Sequence, residues 1–264
     1  MDLGLKGKTA IVGGGSMGIG YGIARTLVAE GAHVVITARR EPGLAKAAET
    51  LRAEADRAGG GALVLAIAAD CRRAEDCARV VTETVARFGG IDVLVNNDGA
   101  PPLGDITSFD DAAWAKAVEQ NLMYVVRMTR AVVPHMKARG SGGILNITAI
   151  SAIQPIAGFG LSVATWGGVI GFAKTLSIEV ARDNINVNTI CPGYIETTRL
   201  EKVFAADGAD PKVMRAKLEA EIPMGRIGSV DDIAALVALL VSTRGRYTTG
   251  TAIPIDGGLL RGVR

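Results

Sequence analysis

Eight residues near the start of the chain, Gly13-Gly14-Gly15-Ser16-Met17-Gly18-Ile19-Gly20, constrain the fold more than any others. A β-rich apolar run, Thr9 to Val12, leads in, and Ile23, Ala24, Leu27 and Val28 recur at helical spacing beyond, so the unit reads strand, glycine loop, helix. Gly14 and Gly18 let the backbone turn and approach a bulky anion, and Gly20 lets the helix lie close to the strand. The first N–H groups of such a helix lack intrahelical partners, which makes the loop a phosphate cradle.

The rest of the chain repeats this alternation. Strand patterns at Ala32 to Thr37, Ala62 to Ile67, Ile91 to Val95, Gly142 to Ile147 and Ile185 to Ile190 are separated by helical patterns at Gly43 to Arg57, Ala74 to Phe88 and Ala112 to Ala138. A helix at Val230 to Leu240 follows, ahead of the stretch Thr249 to Gly258. Alternating β and α units with short links specify an α/β fold, a parallel sheet with helices on both faces and ligand at the carboxyl ends of its strands. With 264 residues, 48% of them hydrophobic and 34 of them Gly, the chain suits one tightly packed domain spanning residues 1–264.

The second strand ends in Ala38-Arg39-Arg40. An acid here would bond the ribose 2′-hydroxyl of NAD, whereas arginine pairs bidentately with a 2′-phosphate, so NADP(H) is favoured over NAD(H). A formal charge of +2 with the two signs interspersed points to no nucleic-acid partner. Three cysteines without paired spacing and two histidines support neither a disulfide framework nor a metal site. The N-terminus enters a strand at once and no apolar run reaches about 18 residues, so a cytoplasmic protein with no membrane segment is expected.

Several motifs together resemble the short-chain dehydrogenase/reductase family over nearly the whole chain. They are the G-x-x-x-G-x-G loop, Asn96-Asn97-Asp98-Gly99, Gly168-Val169-Ile170-Gly171-Phe172, Pro192-Gly193-Tyr194-Ile195-Glu196-Thr197 and Asp256-Gly257-Gly258. The resemblance implies a doubly wound Rossmann domain of seven strands. It implies that Gly14, Ser16, Met17, Gly18 and Ile19 hold the pyrophosphate, and that Arg39 and Arg40 take the 2′-phosphate. Asp70, with Cys71 beside it, would face the adenine, although Asp70 could instead cap the helix starting near Arg73. Asn97, Asp98 and Gly99 would line the ribose, with Asp98 standing where the family usually has Ala. Pro192, Gly193, the Ile195 backbone and Thr197 would clamp the nicotinamide, and Asn121 matches the helix Asn that holds a water near the catalytic lysine. Residues 198–222 occupy the place of a mobile substrate lid, and a homotetramer is expected through the two long helices and the C-terminal strand.

The catalytic segment departs from the pattern. Where the family carries Ser, Tyr and Lys, this chain carries Ala149, Ser162 and Trp166. Tyr passes a proton to the carbonyl oxygen as hydride arrives, Lys lowers that phenol's pKa, and Ser polarises the carbonyl. Ala149 has no donor, Trp166 no charge, and the Ser162 hydroxyl is far too weak an acid. Ser151, two residues past Ala149 on a segment read as extended, could offer a replacement hydroxyl, and Tyr124, one turn beyond Asn121, could reach the pocket. The string around Gln154-Pro155-Ile156 resembles a branch similar to 3-oxoacyl carrier-protein reductases whose members lack most catalytic residues. Two classes follow. One is an atypical NADP(H) oxidoreductase for an imine-like or otherwise activated substrate. The other is a non-redox or silent nucleotide-binding subunit in which Trp166 fills space.

Overall fold

In the computed structural model, which describes residues 1–99, 101–206 and 210–262, the alternating pattern closes into one seven-stranded sheet. Strands β1 (Thr9–Val12), β2 (His33–Ala38), β3 (Val64–Ala68), β4 (Val93–Asn96), β5 (Gly142–Ile147), β6 (Ile185–Pro192) and β7 (Ala252–Ile255) pair in parallel in the order β3-β2-β1-β4-β5-β6-β7. The central strands are nearly continuous apolar runs because both faces are covered. The period of two sorts their side chains: Ile11, Val35, Leu94, Ile144 and Val187 stand in one registered row across five strands. That row packs on helices α3 (Ala74–Phe88), α5 (Tyr124–Arg139) and α6 (Gly160–Val180). The intervening Val12, Ile36, Val95 and Leu145 pack on α1 (Gly18–Ala29), α2 (Glu41–Ala58) and α9 (Val230–Val241).

The helix expected over Ala112 to Ala138 is two helices, α4 (Asp111–Val118) and α5, joined by a π-turn at Glu119–Met123. The apolar recurrence runs across the turn unbroken, so one widened turn leaves no mark in the spacing. Its effect is to set Asn121 and Tyr124 inward, both buried, and such turns often sit at functional sites. The stretch 198–222 is helical where described, as α7 (Thr198–Ala206) and α8 (Pro211–Glu221), with positions 207–209 outside the described residues. Leu200, Phe204, Leu218, Ile222 and Ile227 give this pair a small core of its own. The segment Gly160–Asp183 is long and apolar enough to cross a membrane by length and composition. Its inner side packs on the sheet through Val169, Ala173 and Val180, while Ile178 on its outer side is 70% exposed.

Candidate active site

The strand order reverses between β1 and β4, and the glycine loop crosses that point. Gly14 takes a φ of +58°, open to glycine at little cost, and a Cβ on Gly20 would stand 2.4 Å from the Gly14 carbonyl oxygen. The Asn97 side-chain amide donates to the Gly13 carbonyl (3.0 Å), and the Asn97 backbone N–H donates to the Tyr124 hydroxyl (3.1 Å), pinning the end of β4 to the loop. Met17 precedes α1 without a side-chain cap, so the helix's first N–H groups stay open toward the loop. Gly14, Ser16, Met17, Gly18 and Ile19 lie on this loop and the first turn of α1.

At the far end of the crevice Arg39 and Arg40 follow β2 and are exposed, and neither forms an ion pair among the described residues. Asp70 does not cap α3, whose preceding residue, Arg73, carries no side-chain cap. Instead its Oδ1 accepts from Arg72 Nε (2.7 Å) and the Arg72 backbone N–H (3.2 Å), and these bonds hold its carboxyl below the usual range. Cys71 is buried, and the Cys77 thiol donates to its carbonyl (3.1 Å). Asp98 accepts the Gly99 N–H at 2.6 Å, and burial pushes its carboxyl up, partly offset by Arg39 and Arg72.

Between these ends and the first turn of α7 lies an open cleft. One side is the turn after β6, where Pro192, Gly193, Ile195 and Thr197 all line the wall. That turn is fixed by Gly193 N–H donating to the Ile255 carbonyl (2.9 Å), by Gly228 N–H donating to the Tyr194 carbonyl (3.0 Å), and by the Thr197 hydroxyl donating to the Ile195 carbonyl (3.3 Å). Opposite stand Ala149 and Trp166, with Ile150, Ile156 and Phe159 between them.

The candidate hydroxyls divide. Ser151 lines the cleft, yet it lies in a 3-10 turn at Ile150–Ala152 rather than on an extended segment, and its Oγ is buried without a partner. The turn rotates it off the face that alternation would give it. Ser162 is 1% exposed, does not line the cleft, and its Oγ has no hydrogen-bond partner. Tyr124 does not line the cleft but a small recess that also touches Trp166, Asn121 and Asp98, and full burial raises its phenol well above the ordinary value. Asn121 donates to the Thr165 hydroxyl (2.8 Å), which in turn donates to the Leu161 carbonyl (2.7 Å), leaving Asn121 Oδ1 facing no partner. Two titratable residues of the cleft were given no role from the sequence, Tyr194 and Arg199. Tyr194 is a phenol whose pKa rises through burial and the charge of Glu221, the wrong direction for a proton donor at neutral pH.

Comparison with known proteins agrees with this geometry. The family model described as Enoyl-(Acyl carrier protein) reductase matches residues 14–260. Human Dehydrogenase/reductase SDR family member 4 is 34% identical over 255 residues, covering 96% of this chain and 88% of its own length. The chain belongs to the short-chain dehydrogenase/reductase family. Within that family, the 3-oxoacyl-acyl-carrier-protein reductase FabG of Salmonella typhimurium is 36% identical over 254 residues, 96% of this chain and 98% of FabG. The L-sorbose reductase of Gluconobacter frateurii, solved with NADPH and L-sorbose, superposes with a TM-score of 0.92 at 36% identity, covering 100% of both chains. A nicotinamide dinucleotide fits the residues present: the Gly14 and Gly20 cradle has no room for side chains, the α1 N-terminus is uncapped, and the Pro192 to Thr197 turn is rigidly held.

Proposed function

We propose that this short-chain dehydrogenase/reductase is an NADP(H)-dependent reductase whose hydride acceptor needs no proton from the protein. The observation that carries the reading is the cleft wall at Ala149 and Trp166, where the family's proton-donating machinery would stand. Bound cofactor would supply a hydride. The protein's own residues orient both partners: Thr197 and the Ile195 backbone hold the carboxamide, the glycine loop and α1 hold the phosphates, and Arg39 and Arg40 take the 2′-phosphate. Trp166 supplies a flat apolar surface against which a planar acceptor stacks.

A neutral ketone would collect hydride as an alkoxide, and Ala149, Ser162 and Trp166 offer it no activated acid. An iminium ion becomes a neutral amine on hydride addition, and an activated alkene spreads its charge onto its own withdrawing group. The family description naming an enoyl reductase supports a reductive role, and the NADPH bound in L-sorbose reductase supports the phosphorylated cofactor. We also propose that the α7–α8 pair acts as the lid over this cleft, that the protein assembles as a homotetramer through α5 and α6, and that it works in the cytoplasm, where Cys71, Cys77 and Cys191 stay reduced.

Calorimetry with NADPH, followed by NADPH consumption against a panel of cyclic iminium ions and nitroalkenes, tests the reading. Saturable binding with turnover of at least one class is expected. Tight NADPH binding without turnover of any acceptor would favour the silent-subunit alternative.

A further inference from the structure

We propose that Arg199 is the specificity residue of the cleft and that the substrate carries a carboxylate bound by its guanidinium. The inference rests on the reading of this cleft as a substrate site, and it adds the chemical class of what enters. Arg199 lies in the first turn of α7 and lines the same cleft as Trp166 and Ala149. Among the described residues it makes no hydrogen bond or ion pair, whereas Arg72, Arg127, Arg215 and Arg226 are each matched to a carboxylate. Arg199 is exposed at the edge of the cleft, and the protein packed on its other side lowers its pKa by desolvation, with no acid nearby to offset that effect.

The only acid among the described lining residues is Asp98, and its charge is coupled to Arg39, Arg72 and Asp70 rather than to Arg199. The cleft therefore presents one unpaired cation at the lid side of an apolar channel formed by Ile150, Ile156, Phe159 and Leu200. A guanidinium is a planar fork that matches a carboxylate bidentately. Arg199 stands two residues beyond Thr197, so the carboxylate would be held on the clamp side while the apolar body of the molecule lies toward Trp166. The expected substrate has a carboxylate at one end, a short apolar body, and a reducible C=N or activated C=C.

The test uses the intact protein with NADP⁺ present and follows tryptophan fluorescence, because Trp166 lies in the cleft. The probes are 4-phenylbutanoate, its neutral amide and phenyl phosphate. The acid is expected to bind at least about tenfold tighter than the amide, and Arg199→Gln to abolish that preference while the NADP⁺ affinity measured by calorimetry stays the same. Arg199→Lys should keep part of it. Equal binding of acid and amide, or no saturable binding of the acid, would overturn the proposal. So would an Arg199→Gln variant that loses NADP⁺ affinity but keeps the preference, since Arg199 would then serve the cofactor's phosphates. An Arg199-dependent preference for phenyl phosphate over the acid would overturn the carboxylate assignment. This readout is independent of turnover. Reduction of iminium ions that lack a carboxylate, without any carboxylate preference, refutes Arg199 alone, and firm carboxylate binding without reduction of any acceptor refutes the reductase reading alone.

Discussion

Rebuilding the missing machinery is the sharpest perturbation of the site: Ala149→Ser, Ser162→Tyr and Trp166→Lys together. Positions 162 and 166 are one turn apart on α6 and share a face, so a phenol and an ammonium placed there can meet. The folding cost is modest. Trp166 is only partly buried against the α5–α6 side of the core, so removing roughly 100 Å² of buried ring at about 25 cal/mol per Å² costs about 2.5 kcal/mol. The Lys stem recovers some of that by lying along the same apolar surface. Ser162 gives up an unpartnered buried hydroxyl, which the larger phenol can replace once the indole is gone. A positioned general acid contributes about 10²–10⁴ in rate, so ketone reduction by the triple variant should exceed that of the unaltered protein by at least about 10². Ser162→Tyr alone should gain little, because without the Lys its phenol stays near about 10. The assay is NADPH consumption on a ketone panel, with cofactor affinity and thermal unfolding measured alongside. A folded, NADPH-binding triple variant that is no faster than the unaltered protein would refute the reasoning, as would brisk ketone turnover before any change.

Three further outcomes are expected. Arg39→Ala should weaken NADPH binding by about 10–100-fold, the 1.5–3 kcal/mol of a charge-assisted pair, and leave NADH binding nearly unchanged, as read by calorimetry; equal losses for both cofactors would contradict it. Asp98→Asn should raise stability at neutral pH. Burial raises the folded pKa of Asp98, so its ionised form weakens the fold once the pH passes the unfolded value of about 3.9, fully so above the folded pKa. The gain in melting temperature should therefore vanish below about pH 4, and a gain independent of pH would assign the effect to packing. Light scattering at micromolar concentration should show about four times 27.3 kDa, with a charge on the outer side of α6, Ile178→Glu, shifting it toward smaller species; a monomer in the unaltered protein would refute the assembly.

The parts of the fold that were readable in the sequence are those set by period and by glycine. The registered row from Ile11 to Val187 is a period-two signal, and the cradle at Gly14 and Gly20 is required by backbone proximity. The π-turn at Glu119–Met123 was not readable, because one widened turn preserves the apolar recurrence on either side. Ser151 was placed on the cleft for a reason the structure does not share: it reaches the wall through a 3-10 turn rather than by strand alternation. Asp70 was legible as a residue at the end of β3 but not as the partner of Arg72, since both possible roles assumed a free carboxylate. Arg199 went unnoticed as one charge among many in the lid. Only the fold shows that it, unlike the other arginines nearby, faces the cleft without a counter-ion.

The central claim, hydride transfer without a protein-donated proton, is tested most directly by a matched pair of acceptors with the unaltered protein and NADPH. One is a cyclic N-methyl iminium ion and the other the carbocyclic ketone of the same size, each compared with its background rate without protein. The account predicts saturable reduction of the iminium ion well above background, with the ketone indistinguishable from background. Comparable accelerations for both acceptors would contradict it, because such a protein would have to supply a proton that Ala149, Ser162 and Trp166 cannot give.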